Sequence, residues 1–241
     1  MAYTAQTITS AGDELDFLTA VRTFFVNNQD ITFTVEEENL ANYPQYFIVS
    51  VNAKLKIKVS SLAANENTQT SALAFTAYAG TNELATTNIT YGASTAVRND
   101  ANRTIRLFVA QKGNSVVINA ANFTQLTGKG SFGALIIQDS NSNTVCWGTF
   151  NAPSANSLSD FYDPDTNTRY KISPYHTYQK AEGQLFLDPE LPVLNNANST
   201  FLFATSDIVG LGGAETQHFY TGINGDRYYC IMPNVAIKLE E

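Results

Sequence analysis

Thr221-Gly-Ile-Asn-Gly-Asp-Arg-Tyr-Tyr-Cys-Ile-Met-Pro-Asn-Val-Ala-Ile-Lys-Leu239 carries the clearest local pattern in this sequence. Asn224-Gly225 is a dipeptide preferred in two-residue hairpin turns, because such turns need positive φ at both central residues. Residues 227–232, which follow it, have the aromatic and β-branched content of a strand. Pro233-Asn234 then favours a second turn. We therefore predict that this part of the chain forms a three-stranded meander.

The last predicted strand has the period of a sheet. Val235, Ile237 and Leu239 occupy every second position. Successive side chains of a strand point to opposite faces, so this spacing predicts a strand with one buried face. We expect the segment to complete a domain or to contact a neighbouring molecule.

The composition favours a β-rich protein that contacts other protein surfaces. Only 15% of the 241 residues are charged, against about 25% in typical domains, and 12% are aromatic. The formal net charge of -8 argues against nucleic-acid binding, which needs Lys and Arg to neutralise phosphates, and against docking to anionic membranes. The first residues lack the basic and apolar segments of a secretory signal, and no window approaches about 18 apolar residues. We therefore expect no membrane span.

One short helix is predicted over residues 8–26. Ser10 is a candidate N-cap, and Asp13 stands three residues later, as in a capping box. Asn27-Asn28 should end the helix. Apolar residues have the spacing of one helix face that packs on a sheet: Leu15, Leu18, Val21 or Arg22, and Phe25.

Short strand-like segments separated by turn residues recur along the chain. They are residues 31–35, 45–51, 54–59, 72–78, 87–91, 103–110, 115–119, 133–137, 144–150, 184–187 and 199–204. This spacing predicts a mainly β protein, with an antiparallel β-sandwich or β-barrel-like body and one short N-terminal helix.

A change of composition at Asn151 suggests how the chain is organised. Residues 1–150 are predicted to hold the N-terminal helix and the β-sandwich. Residues 151–183 are polar and aperiodic, and we predict an irregular connecting loop; long loops of this kind are often functional. Residues 184–241 hold the C-terminal strands and meander, which either complete the same domain or form a small second one.

Aromatic residues in the connecting loop and the meander are the candidate protein-interface residues. Tyrosines in a polar loop suit either a sugar or a protein partner. We favour an oligomer contact because the chain has few charged groups. The candidates are Tyr162, Tyr170, Tyr175, Tyr178, Phe219 and Tyr228.

A lysine stripe marks one predicted strand. Lys54, Lys56 and Lys58 lie on one face of residues 54–59, opposite an apolar face. One interpretation is an anion-binding face. We favour a solvated outer sheet face, or an edge protected against pairing with another chain.

No catalytic motif is present. The sequence lacks Gly-x-Ser-x-Gly, a phosphate loop and His-Glu-x-x-His, and neither His176 nor His218 adjoins a nucleophile motif. Asp163, Asp165 and Asn167 have the spacing that begins a calcium loop, but the glycine and final glutamate of that loop are missing. We interpret this segment as a turn. We therefore expect no enzymatic activity, no cofactor and no metal ion.

The two cysteines lie far apart, in different predicted strands. Cys146 and Cys230 are expected to be buried thiols in a chain made in a reducing compartment. The sequence leaves a disulfide between them open.

Both ends of the chain resemble virion proteins of tailed bacteriophages. Residues 8–28 are similar to the short helix that precedes the β-rich body of many such proteins, and residues 223–234 are similar to their closing hairpin. The resemblance implies a non-enzymatic subunit of the tail, neck or baseplate, made in the bacterial cytoplasm and assembled in the virion. It implies partners that are copies of the chain itself and other virion proteins, and it brings no catalytic residues.

A carbohydrate-binding module of a phage receptor-binding protein or a bacterial adhesin is the alternative. Such a module would use aromatic faces with Asn and Asp hydrogen bonds. Trp147, the only tryptophan, lies within an apolar predicted strand, so we expect it in a core and not on a sugar platform. A third interpretation is a hydrolase whose paired carboxylates come from distant strands.

Overall fold

A computed structural model describes the larger part of the chain. The described residues are 2–10, 14–51, 55–62, 72–79, 81–90, 103–112, 115–121, 131–138, 144–150, 159–162, 169–172, 187–188, 192–195, 201–203, 208–211, 217–222, 225–232 and 235–239. Their helix and strands are β1 (Ala2–Ser10), α1 (Glu14–Val26), β2 (Thr34–Asn39), β3 (Tyr46–Ser50), β4 (Leu55–Leu62), β5 (Ala72–Ala79), β6 (Asn82–Thr90), β7 (Arg103–Lys112), β8 (Ser115–Ala121), β9 (Ser131–Gln138), β10 (Thr144–Phe150), β11 (Ser159–Tyr162), β12 (Arg169–Ile172), β13 (Leu187–Asp188), β14 (Pro192–Asn195), β15 (Phe201–Phe203), β16 (Ile208–Leu211), β17 (Phe219–Thr221), β18 (Arg227–Met232) and β19 (Val235–Lys238).

The chain forms two compact units. The N-terminal unit comprises residues 2–111 and 116–132, and the C-terminal unit comprises residues 1, 112–115 and 133–241. In the described residues the fold is mainly β, its sheets are antiparallel and α1 is the one helix. The predicted fold class is therefore confirmed.

The N-terminal unit has a sandwich-like body. Strands β2-β3-β4-β5-β6 form a sheet in which each strand neighbours the next in sequence. Strand β1 pairs with β7 along all of its residues, and β7 neighbours β8. The ring of Phe75 in β5 stacks on that of Phe132 in β9, with centroids 5.4 Å apart. Within this unit, the contact packs the five-stranded sheet against the start of β9.

Helix α1 supplies an aromatic core to the same unit. It contacts β1, β3 and β4. The ring of Phe25 lies 5.0 Å from Phe33 and 6.1 Å from Phe47 of β3, measured between centroids. Leu18, Val21 and Phe25 are buried, as predicted. Phe17 and Phe24 are buried as well, whereas Leu15 is only half-buried. The buried face is wider than predicted because the helix contacts several strands.

The predicted start of the helix was wrong. The helix begins at Glu14, and Ser10 is not an N-cap but the last residue of β1, paired with Arg103. Residues 2–10 are rich in threonine and suit a strand, and the ladder with β7 satisfies the backbone groups that face β7 over nine residues.

The predicted end of the helix is confirmed. The backbone N–H of Asn27 donates to the carbonyl of Thr23 at 2.9 Å. The Oδ1 atom of Asn28 accepts hydrogen bonds from the backbone N–H groups of Asp30 and Ile31, at 3.1 and 3.0 Å. The asparagine side chain thus closes the turn that leaves the helix.

The C-terminal unit contains strands inside the segment predicted to be irregular. Its strands follow the orders β9-β10-β11-β12-β14-β15 and β13-β16-β19-β18-β17. Strands β11 and β12 lie within residues 151–183 and pair from Ser159↔Ile172 to Tyr162↔Arg169. The loop prediction was wrong for these residues, because strands this short have no visible period and depend on their pairing partners.

The predicted terminal meander is confirmed, but its burial was predicted wrongly. Strand β17 pairs with β18, and β18 pairs with β19. Ala236 and Ile237 point to opposite faces of β19, and they are 0% and 2% exposed. Both faces of this strand are therefore covered, and not one face alone.

The cysteine in β18 is buried, as expected. Cys230 is 0% exposed and carries a thiol that is not part of a disulfide. The side chain of the other cysteine, Cys146, lies outside the described residues.

Candidate interaction surface

The hairpin between β17 and β18 is built around a three-residue loop. The backbone N–H of Gly222 donates to the carbonyl of Asp226 at 2.8 Å, and that of Gly225 donates to the carbonyl of Gly222 at 3.0 Å. Gly225 has a φ of +86°, a conformation that glycine adopts without steric cost. The prediction of a two-residue turn was wrong. Gly222 and Asp226 face each other across the hairpin, and three residues lie between them in the sequence. A three-residue loop with a left-handed glycine is another common hairpin connection.

The backbone on either side of this loop is held by further hydrogen bonds. Gln217 N–H donates to the carbonyl of Cys230 at 2.7 Å, and Cys230 N–H donates to the carbonyl of His218 at 3.0 Å. Leu239 N–H donates to the carbonyl of Arg227 at 2.7 Å. The hairpin is thus fixed on both strands before any partner binds.

An aromatic ring and a guanidinium group lie together on this hairpin. The register pairs Phe219 with Tyr229 and Thr221 with Arg227, so alternate residues share one face. The Arg227 guanidinium carbon lies 5.3 Å from the centroid of the half-buried Phe219 ring, which meets Tyr229 edge-on at 5.0 Å. Arg227 and Thr221 are exposed. We call Phe219, Thr221 and Arg227 the hairpin surface.

An ion pair braces the loop end of the hairpin. Lys238 Nζ lies 2.9 Å from Asp226 Oδ2, and the Tyr228 hydroxyl donates to the same oxygen at 3.2 Å. The hydrogen bond from Lys238 lowers the pKa of Asp226 below its usual range. Burial raises the pKa of Tyr228, and the nearby Asp226 carboxylate raises it further.

Lys238→Gln is expected to raise the pKa of Asp226 towards its ordinary value, because the main group that favours the carboxylate is removed. In the native protein this pair stabilises the fold above the ordinary carboxylate pKa, and the contribution is lost as the pH falls through the lowered value. The variant should therefore lose less stability on acidification. An NMR titration of the Asp226 carboxyl, with unfolding curves at several pH values, measures both effects. Lys56→Gln, which removes the partner of Glu36, is the matched control and should leave the Asp226 titration unchanged; an unchanged Asp226 pKa in Lys238→Gln would contradict the assignment.

The structure places the candidate protein-interface residues in different environments. Tyr162 and Tyr170 lie in the paired strands β11 and β12, where Tyr162 pairs with Arg169 and Tyr170 with Phe161. Tyr228 is 2% exposed, so its ring lies in the interior of its unit, while Phe219 belongs to the hairpin surface. The candidates that lie outside the described residues are Tyr175 and Tyr178, together with His176 and the turn residues Asp163, Asp165 and Asn167.

The lysine stripe lies on the polar face of the N-terminal five-stranded sheet. Strand β4 lies between β3 and β5, so the interpretation as a protected edge was wrong. Lys56 forms an ion pair with Glu36, and this hydrogen bond lowers the pKa of the glutamate. Lys58 Nζ lies 4.2 Å from the centroid of the Tyr46 ring. Both lysines are half-buried and already have partners, which suits a solvated outer face better than an anion site; Lys54 lies outside the described residues.

An exposed aromatic residue that the sequence analysis missed lies at one end of this sheet. Tyr43 is 61% exposed in the connection between β2 and β3, where a cis peptide bond joins it to Pro44. The Asn39 side-chain amide donates to the carbonyls of Asn42 and Pro44 at 2.9 and 3.3 Å, and its Oδ1 accepts from the Asn42 N–H at 3.3 Å. The loop that presents Tyr43 is thus braced by one asparagine. A tyrosine directly before a proline in a turn is the pattern that would have drawn attention to it.

Comparison with known proteins gives no relative. No protein-family model, no curated protein and no solved structure matches the chain. Within the described residues, no group of His, Cys, Asp and Glu is arranged to hold a metal ion. The same part of the chain contains no helix with the length and apolar character needed to cross a membrane.

Proposed function

We propose that this chain is a non-enzymatic structural subunit of a phage virion, a tail, neck or baseplate connector that works through protein–protein contacts. The observation that supports this best is the hairpin surface, where Arg227 lies against Phe219 on a fixed backbone. Aromatic residues and arginine are enriched in interface cores, and they dominate binding energy when buried by a partner. Because the backbone is already ordered, little conformational entropy is lost on binding.

The composition of the chain and the resemblance of its two ends support the proposed location and partners. With 15% charged residues, the chain exposes neutral polar and apolar surface, and interface cores are depleted in charge. Residues 8–28 and 223–234 resemble phage virion proteins, which leads us to the virion as location and to synthesis in the host cytoplasm. The proposed partners are copies of the chain and other virion proteins. Nucleic acid, membranes and cofactors have no part in the proposal.

Arg227→Ala and Phe219→Ala are each expected to weaken assembly about tenfold or more, since truncating a central interface arginine or aromatic residue commonly has an effect of that size. Sedimentation velocity over a range of protein concentrations measures the change. Lys58→Ala is the control, because it removes a similar contact between a cation and a ring from another surface. Circular dichroism checks the fold of each variant. Assembly that is unchanged in both hairpin variants would refute the role given to this surface.

The second candidate function, a carbohydrate-binding module, is favoured by one observation. Tyr43 projects from a loop held by hydrogen bonds of Asn39, and its exposed ring offers an apolar face and a polar hydroxyl to a sugar. A glycan array separates the two functions, because a structural subunit gives no saturable binding that depends on Tyr43.

A further inference from the structure

The exposed edges of the described sheets differ in how they resist pairing with another chain. In the N-terminal five-stranded sheet, edge strand β2 carries Glu36, Glu37 and Glu38, and its register shifts between Val35 and Glu37. The opposite edge, β6, carries the exposed Glu83, and the β5–β6 register also shifts. Charges and bulges of this kind prevent edge-to-edge association.

The edge strands of the C-terminal unit are protected because they are short. Strands β13, β15 and β17, which end their strand orders, have two or three residues each. Such short edges offer few backbone groups to a partner strand.

Within the part of the chain that the structure describes, strand β1 has neither a charge, nor a bulge, nor a short length to protect it. It ends the strand order beside β7, it is nine residues long, and its register from Ala2↔Gln111 to Ser10↔Arg103 contains no shift. Its sequence, AYTAQTITS, has no charged residue and no proline. Helix α1 contacts this strand, with Thr4 Oγ1 donating to Asn28 Oδ1 at 3.3 Å, yet Gln6, Thr7 and Thr9 remain exposed. A long, regular and neutral edge is the form that accepts a further strand.

We propose that β1 pairs antiparallel with β1 of a second copy of this chain. The inference deepens the proposed function, on whose self-assembly it rests, by naming the contact between copies. The neutral sequence of β1 makes a second copy a compatible occupant. Each copy carries a formal net charge of -8, so two copies repel each other wherever carboxylates meet, and β1 is a neutral strand on which they can approach.

The pairing has a natural register. A two-fold axis at Gln6, the centre of β1, overlaps all nine residues and places Gln6 directly opposite its own copy. Ile8 then lies opposite Thr4, and Thr7 lies opposite Ala5. No like charges face each other, and the side chains opposite one another are small or neutral.

Gln6→Lys tests this register. The substitution places two lysines directly opposite each other, and like charges at such positions destabilise a strand pair. We expect the dissociation constant between copies to rise about fivefold, and more at low ionic strength. The residue is exposed, so the fold should tolerate lysine. Ala41→Lys, which adds the same charge at an exposed position in the connection between β2 and β3, is the matched control and should behave as the native chain.

Charge reversal makes the experiment independent of folding defects. Gln6→Glu should weaken self-association as Gln6→Lys does, and an equimolar mixture of the two variants should associate at least as well as the native chain. Analytical ultracentrifugation of the full chain and of the mixture measures this. If Gln6→Lys associates as the native chain does, or if the mixture does not recover, the β1 contact is overturned while self-assembly through another surface stands. A native chain that is monomeric throughout would overturn both proposals.

Discussion

Phe25→Ala is expected to lower the free energy of unfolding by about 3–5 kcal/mol, the usual cost of deleting a fully buried phenylalanine. The ring is 0% exposed and lies within 6.1 Å of Phe24, Phe33 and Phe47, measured between centroids. Its removal leaves a cavity where α1 meets the five-stranded sheet. Chemical denaturation followed by circular dichroism measures the loss.

Val26→Ala is the control for that experiment. Val26 is the next residue of the helix and is 42% exposed, so its truncation should change stability by about 0.5 kcal/mol or less. Equal effects of the two substitutions would mean that Phe25 does not lie in the core described above.

Phe75→Ala is expected to have a similarly large effect, about 3–5 kcal/mol, because Phe75 is 0% exposed and stacks on Phe132 across the sandwich-like body. A double-mutant cycle with Phe132→Ala should give a coupling of about 0.5–1.5 kcal/mol. Phe75→Leu keeps most of the volume and should cost less than about 1.5 kcal/mol. Strict additivity in the cycle would contradict the packing of the two sheets through these rings.

Most strands could be predicted because their residues alternate or are β-branched over five or more positions. The strand at 144–150 and the terminal meander are examples of this pattern. The strands that were not predicted were overlooked for physical reasons. Residues 2–10 were assigned partly to the helix because a Ser10 cap is a local pattern, whereas their pairing with β7 depends on residues about 100 positions away. The strands at 159–162 and 169–172 depend in the same way on each other.

The interaction surface could be predicted only in part. Phe219 was chosen for its aromatic side chain, but its contact with Arg227 depends on the hairpin register, which the three-residue loop sets. Tyr228 was also chosen, yet it is 2% exposed because both faces of β18 are covered, and a period of two cannot reveal that. Tyr43 was missed because its exposure depends on a loop held by hydrogen bonds from Asn39.

The mass of the purified native chain in solution tests the central proposal most directly. Multi-angle light scattering over a wide range of concentrations gives this mass without a standard. The proposal predicts a defined oligomer whose mass is a multiple of 26.3 kDa, or growth into rings or tubes as the concentration rises. A single species of 26.3 kDa at every concentration would contradict the proposal that the chain assembles with copies of itself.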